Sequence, residues 1–496
     1  MTLTEILTGV SPAERRLVDA RLGVITQVVP YEPSARMPSS WVGWSARGGD
    51  SRAFAAWTGE RYGFGASLGD HDRARRAAVG EVVERYCGNA VPEKLEIASY
   101  AALAAAGRDA LDPASFALYS DRQYEARGFP FQRFTRDLPV AWVPGRDLHT
   151  GRPVLVPASM AYLNYFRGGH AGEPVTHAML YAGIATGENR EHAERFALEE
   201  LFERDANTIW WASGTSPHTV ADAADLLAQY NIPFCPEVGG GHGDKHASVY
   251  EDLHENVHKN GRGNRRENEY VIRLFRIPGQ FDVPVLAAFL TDPGEGLVSY
   301  GTACRASPWE AAKKALVEAF AMLELTAELA DPDSAHWRAI ARGEIPAHAY
   351  RPYRADRRYA EDFRPDFHDL IDLPAVAQLY LDPRMQGKPL DRLREQARPV
   401  RLTDIPAVEE ARARQHYLDI LAERNLRAVS VDVTTSDVCA AGLTVVRVVV
   451  PGLYCNPPAA FPYLGGSRLY TVPTELGWVS EQLTEETVYP YPIPHV

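Results

Sequence analysis

The clearest apolar–polar pattern lies between residues 177 and 211, HAMLYAGIATGENREHAERFALEELFERDANTIWW. A short apolar piece reads as a strand and meets a glycine-bearing turn. Apolar residues then recur at helical spacing, which predicts a helix from about Glu191 to Ile209. A second helix is predicted over 71–87, rich in alanine. A third begins at Ser307-Pro-Trp-Glu310, where serine can cap, proline suits the first helical position, and Glu310 can close a capping box. It is expected to run through Leu325 or on to Leu329. A fourth helical stretch covers 407–424. Strands are predicted at Val24–Val29, 154–159, 271–277, 283–291 and 444–450, the last stopped by Pro451-Gly452. Residues 62–67, YGFGAS, read as a glycine loop, and 239–268 as a long polar loop or insertion.

Mixed strands and long helices predict an α+β (mixed α/β) body. No G-x-G-x-x-G follows a strand and no G-x-x-x-x-G-K-[ST] occurs, so neither a Rossmann nor a P-loop nucleotide site is expected. Composition agrees with a large globular core: 496 residues, 45% hydrophobic and 24% charged. No apolar run is long enough for a membrane span. The 65 acidic and 52 basic side chains give a net charge of -13, which argues against general nucleic-acid binding but leaves a local phosphate site open. Only 6 of the basic residues are Lys; the arginine excess suits planar donors, and GC-rich coding explains it equally. Five scattered Cys with no C-x-x-C, and a first segment without signal-peptide form, point to a reducing, cytoplasmic setting.

Candidate chemistry comes from a repeated word. Glu81-Val-Val-Glu84-Arg85 and Glu200-Leu-Phe-Glu203-Arg204 share E-x-x-E-R, each within a predicted helix rich in apolar residues. Spacing of three puts each carboxylate pair on one helical face. The third helix adds Lys314 and Glu318, four apart. Carboxylates at this density among apolar neighbours need protons, cations or metal ions between them. Oxygen ligands without His suit Mg²⁺, and several could hold Mg²⁺ along a polyphosphate. The same word also fits an ordinary solvated helix face, and spacing alone leaves both readings open.

Several separated segments resemble the YcaO-domain family, most closely its azole- and azoline-forming peptide cyclodehydratases. ARRAAVGEVVERYCGN (74–89) and GIATGENREHAERFALEELFERDA (183–206) are similar to its two acidic ATP/Mg²⁺ motifs. PVLAAFLTD (284–292) and GTACRASPWEAAKKALVEA (301–319) resemble its third region, and 431–453 with LGGSRLY (464–470) its C-terminal part. The resemblance implies a YcaO-type ATP-binding fold over 61–496 after an N-terminal extension of 1–60. It implies ATP and Mg²⁺ as cofactors, with Glu81, Glu84, Glu191, Glu200, Glu203 and Glu318 at the metal, and Arg85, Arg204 and Lys314 toward phosphate. Arg85 is as well explained by a structural ion pair. In such enzymes a Cys, Ser or Thr of a ribosomal precursor peptide attacks the preceding carbonyl, and the oxygen leaves as phosphate. The resemblance also assigns a catalytic role to the tail Pro490-x-Pro492-x-Pro494, whose prolines favour an extended chain.

The implied partners are a precursor peptide and a separate leader-binding, E1-like (ThiF-like) protein, since only about 60 residues precede the match. A homodimer is also implied; nucleic acid and membrane are not. Thioamide or macroamidine formation, or a non-catalytic scaffold, are the competing readings. The chain departs from the family at Phe64, where Lys is usual, and at Ala182, His192 and Ala321. His192 is expected to donate to phosphate or pack rather than bind metal. Among the thiols only Cys87, beside the first motif, is a candidate for chemistry; a small buried side chain is its expected role.

Overall fold

Three antiparallel sheets share three long helices. The chain is seen here as a computed structural model that describes residues 12–50, 52, 59–234, 270–395 and 397–494. The segment 239–268 and Cys235 lie outside the described residues. The first sheet joins β1 (Ile25–Tyr31), β2 (Trp41–Gly48) and β3 (Tyr62–Leu68) in that order. A second contains β4 (Glu96–Ala98), β5 (Val140–Asp147), β6 (Pro153–Pro157), β7 (Ile184–Gly187), β12 (Val429–Asp432) and β13 (Thr444–Val449). Its order is β4-β5-β12-β13-β7, with β6 beside β5. The third holds β8 (His218–Thr219), β9 (Val271–Arg276), β10 (Val285–Asp292) and β11 (Leu297–Cys304), in the order β11-β10-β9-β8.

The helices that position the site are α1 (His71–Gly88), α2 (Arg190–Ser213) and α3 (Pro308–Ala330); α4 (Glu410–Glu423) and α5 (Arg468–Glu475) buttress α2. Each long helix touches two sheets. Helix α1 packs on β2 and β3 and reaches β7; α2 packs on β7 and β13 and reaches β11; α3 packs on β10 and β11 and reaches β3. The centre of this arrangement is β10. Its Val285, Ala287 and Phe289 join the apolar cluster around α2, while Leu286, Ala288 and Leu290 join the cluster around α3. A strand buried on both faces loses its polar alternation, and this one reads as a continuous apolar run.

The predicted strands and helices are present with ends shifted by a few residues; α2, for example, runs on to Ser213, where Gly214 closes it in a left-handed conformation. Two expectations change. The glycine loop at 62–67 is strand β3: a Cβ on Gly65 would stand 2.1 Å from the Ala74 carbonyl oxygen, so the glycines let a strand lie directly on α1. Ser307 makes no side-chain cap on α3, and Glu310 pairs instead with Arg73 of α1 at 2.6 Å. Strands β1 and β2, inside the expected 1–60 extension, belong to the same sheet as β3, so sheet hydrogen bonds cross that boundary. No helix among the described residues is long and apolar enough to cross a membrane.

Candidate nucleotide and metal site

The two E-x-x-E-R words face each other across the end of β7. On α1, Glu81 Oε2 accepts the Phe64 backbone N–H at 2.8 Å and Glu84 Oε1 accepts that of Thr186 at 2.8 Å. On α2, Glu200 Oε2 accepts the Gly183 N–H at 2.9 Å, and Glu203 Oε1 accepts the Thr302 hydroxyl of β11 at 2.7 Å. Backbone and hydroxyl donors therefore fix one oxygen of each acid. Gly183 has a φ of 91°, and a Cβ there would stand 2.5 Å from the Val448 oxygen, so only glycine fits this bend.

Cations line the same face. Arg204 lies 3.7 Å from Glu203 and 3.9 Å from Glu200. Lys314 pairs with Glu318 one turn along α3. Arg85 sits 3.4 Å from Glu81 and over the Tyr181 ring at 4.8 Å, so it has a structural pairing whatever else it does.

Burial and mutual repulsion set the proton affinities. Loss of solvent pushes Glu84 up to about 8; Arg85 and the Thr186 N–H oppose this, and Glu200 and Glu81 add to it. Burial raises Glu203 as well, against the pull of Arg204 and Thr302. Glu318 goes the other way: burial disfavours its charge, but Lys314 and then Arg204 hold it below the usual carboxylate range. A divalent ion bound beside Glu84 and Glu203 would oppose that upward shift and favour their charged forms.

Among the described residues, no three His, Cys, Asp or Glu side chains are gathered closely enough to cage a metal ion by themselves. Mg²⁺ usually keeps several waters and is bound through one or two carboxylates plus phosphate oxygens. Glu81, Glu84, Glu200, Glu203 and Glu318 are oxygen donors of the kind such an ion takes.

Not every expected residue joins them. Glu191 is exposed in the first turn of α2. It stands about two and a half turns before Glu200 and so on the opposite side of the helix. His192 packs its ring against Phe196 with centroids 4.5 Å apart. Phe64 packs against Trp41 and Tyr31, leaving only its backbone to the site. Cys87 is fully buried, 3.5 Å from the Thr435 hydroxyl, and burial pushes its thiol up to about 11, the state of an unreactive side chain.

The C-terminal tail lies against the far end of α2. Tyr489 donates its N–H to Ala212 O at 2.8 Å, Trp211 Nε1 donates to Tyr491 O at 2.7 Å, and the Tyr380 hydroxyl donates to Pro492 O. Arg392, buried, covers Trp210, Trp211 and Tyr489 at 4.4, 4.1 and 4.6 Å. Pro490 is exposed, whereas Pro492 and Pro494 are buried. A cavity of about 320 Å³ opens beside Pro490–Ile493, between Phe367, Asn456 and Trp211. Between this tail and the acids lies Tyr300, which bonds Asn207 at 2.9 Å and feels both Arg392 and Glu203.

The site residues that sequence reasoning missed are Thr186, Gly183 and Thr302. Two act through backbone N–H groups, which every residue carries and no motif reveals. Thr302 stands inside the buried run of β11, one of three hydroxyl-bearing residues there with Ser299 and Tyr300, so no local signal singled it out.

A family profile for the YcaO cyclodehydratases, described as binding ATP and Mg²⁺, matches residues 65–454. The chain therefore belongs to the YcaO family, and ATP and Mg²⁺ are the cofactors of that class. No curated protein matches the chain. Among solved structures, it is similar to a heterocyclase in complex with substrate and cofactor, at 19% identity and a TM-score of 0.62, covering 98% of this chain and 57% of that one. The heterocyclase TruD follows at 19% and 0.56, covering 85% and 50%. The YcaO protein of Methanopyrus kandleri, bound with AMPPCP and Mg²⁺, aligns at 19% and 0.50 over 91% of both chains. The present chain thus spans a little over half the length of the first of these heterocyclases and half of the second. Likeness at this identity establishes the shared fold.

Proposed function

We propose that the protein is an ATP-dependent peptide cyclodehydratase. A Cys, Ser or Thr side chain of a ribosomal precursor peptide adds to the preceding backbone carbonyl. The side-chain proton is released, and the carbonyl oxygen takes the γ-phosphoryl group of ATP as ADP leaves. That oxygen then departs as phosphate, the amide nitrogen gives up its proton, and a thiazoline or oxazoline remains. A precursor peptide and a leader-binding partner that delivers it belong to this reading; the heterocyclase solved with its substrate supports the first.

The observation that carries it is the convergence of Glu81, Glu84, Glu200, Glu203 and Glu318 with Arg204 and Lys314 on three helices of a YcaO fold. When bound, ATP supplies the phosphoryl group and Mg²⁺ neutralises its charge. The acids hold the metal on rigid helices, each oriented by a fixed donor. Arg204 and Lys314 offset phosphate charge, and the sheets exclude water from the buried side of Glu203. The docked tail favours cyclodehydration over thioamide formation: Pro492 and Pro494 are buried, Tyr489 and Tyr491 bond the end of α2, and Tyr380 bonds Pro492 O. Incubation with a candidate precursor, its partner proteins and ATP tests the proposal, with mass loss and phosphate release followed together.

A further inference from the structure

The corner between β11 and α3 carries a cation to which the motif reading gave no role. Arg305 follows the last residue of β11 and is about one-fifth exposed, with a side-chain exposure of 22%. Behind it, on α2, Glu199 has a fully buried carboxylate. That carboxylate accepts the Tyr417 hydroxyl at 3.2 Å and lies 3.7 Å from Arg195, which is itself drawn to Glu410 at 2.8 Å. Its Oε2 has no hydrogen bond and faces Arg305 Nη1 at 3.5 Å. A buried charge of this kind must hold a counter-charge in place. Arg305 is therefore tethered from the rear, and Nη1 also donates to Cys304 O at 2.6 Å.

Its surroundings include the acids: Glu199 and Glu203 stand four apart on one face of α2, and Thr302, three residues before Arg305, bonds Glu203 at 2.7 Å. The charge of Arg305 acts on Glu203 and Glu318, the acids of α2 and α3. Tether and backbone bond both engage Nη1, and the guanidinium carbon lies 6.0 Å from the Phe196 ring centroid. A planar fork held beside metal-binding carboxylates matches phosphate oxygens better than a mobile lysine does.

We propose that Arg305 is a phosphate-gripping residue of the nucleotide site, held in place by Glu199. This rests on the ATP reading given above. The competing role is structural: Arg305 does no more than neutralise Glu199.

Calorimetric titration of the full chain with Mg²⁺ and AMPPCP separates the two. Arg305→Ala alone strands a buried carboxylate and can unfold the chain. Arg305→Met combined with Glu199→Gln removes the pair together and is expected to keep a wild-type melting temperature. Its affinity for Mg²⁺-AMPPCP is expected to fall at least about tenfold, with Arg305→Lys in between. Wild-type affinity in the folded double variant overturns the assignment and leaves the nucleotide reading standing. Should that variant not fold, Arg305→Lys decides by the same criterion. A wild-type chain that binds no Mg²⁺-AMPPCP overturns the nucleotide reading and the role of Arg305 with it.

Discussion

The Thr302 hydroxyl donates to Glu203 Oε1 at 2.7 Å inside the core, tying β11 to α2 at the acid cluster. This bond joins the third sheet to the helix that carries the second E-x-x-E-R word. Burial opposes the charge on Glu203, and Thr302 is one of the groups that resists that shift. Thr302→Val keeps the shape and removes the donor. It is expected to cost about 1–3 kcal/mol in urea unfolding and to weaken Mg²⁺-AMPPCP binding in titration.

Close contact between β3 and α1 gives a second expectation. A Cβ at Gly65 would meet Ala74 O at 2.1 Å and Ala78 N at 2.4 Å, both backbone atoms that cannot swing away. Gly65→Ala is expected to push β3 off the helix and to destabilise by about 1–3 kcal/mol or more, read by denaturant unfolding. Because the Phe64 N–H orients Glu81, metal–nucleotide binding should weaken as well.

Much of this scaffold was legible in the chain, and the reasons differ by element. Helix α2 showed itself because its acids interrupt an otherwise apolar periodicity. Strand β10 did so as an unbroken apolar run. Strand β3 did not, because its two glycines signal a turn when read locally and gain their meaning only from the helix pressed against them. Both acidic words were visible, as was the pairing of Lys314 with Glu318. What stayed hidden was the orientation of those acids, which depends on backbone donors from β3 and β7, far away in sequence. Glu191 shows the converse: adjacent to the motif in sequence, it is turned away from Glu200 by helical geometry.

Acid stability should depend on His177. Its ring is buried, with Nδ1 2.7 Å from Ala178 O and Nε2 3.1 Å from the Ser159 hydroxyl. Burial disfavours the imidazolium and pushes the group from its ordinary 6.5 down to about 4. Between these values the unfolded chain takes up a proton that the folded chain refuses. Stability contributed by the neutral ring is thus complete above about pH 6.5 and is lost as pH falls toward 4, by up to about 3 kcal/mol. His177→Gln is expected to flatten that part of the stability–pH curve, measured by urea unfolding at stepped pH.

The tail separates binding from chemistry. Deleting 490–496 removes Pro490, Pro492 and Pro494 but leaves every acid of the cluster in place. Azoline formation is expected to be lost while Mg²⁺-AMPPCP titration still shows binding. Some stability should go too, since Tyr491 and Ile493 pack against the core around α2. Full ring formation without the tail would remove its catalytic role.

The central claim is that the acids of α1, α2 and α3 serve ATP-driven removal of an amide oxygen. Mass spectrometry of a candidate precursor, after incubation with the full chain, its partner proteins and Mg²⁺-ATP, tests it most directly. The expected result is loss of one water mass per modified Cys, Ser or Thr, matched by released phosphate and abolished by Glu203→Gln. A mass gain from exchange of oxygen for sulfur, or water loss that persists without ATP or in Glu203→Gln, would contradict it.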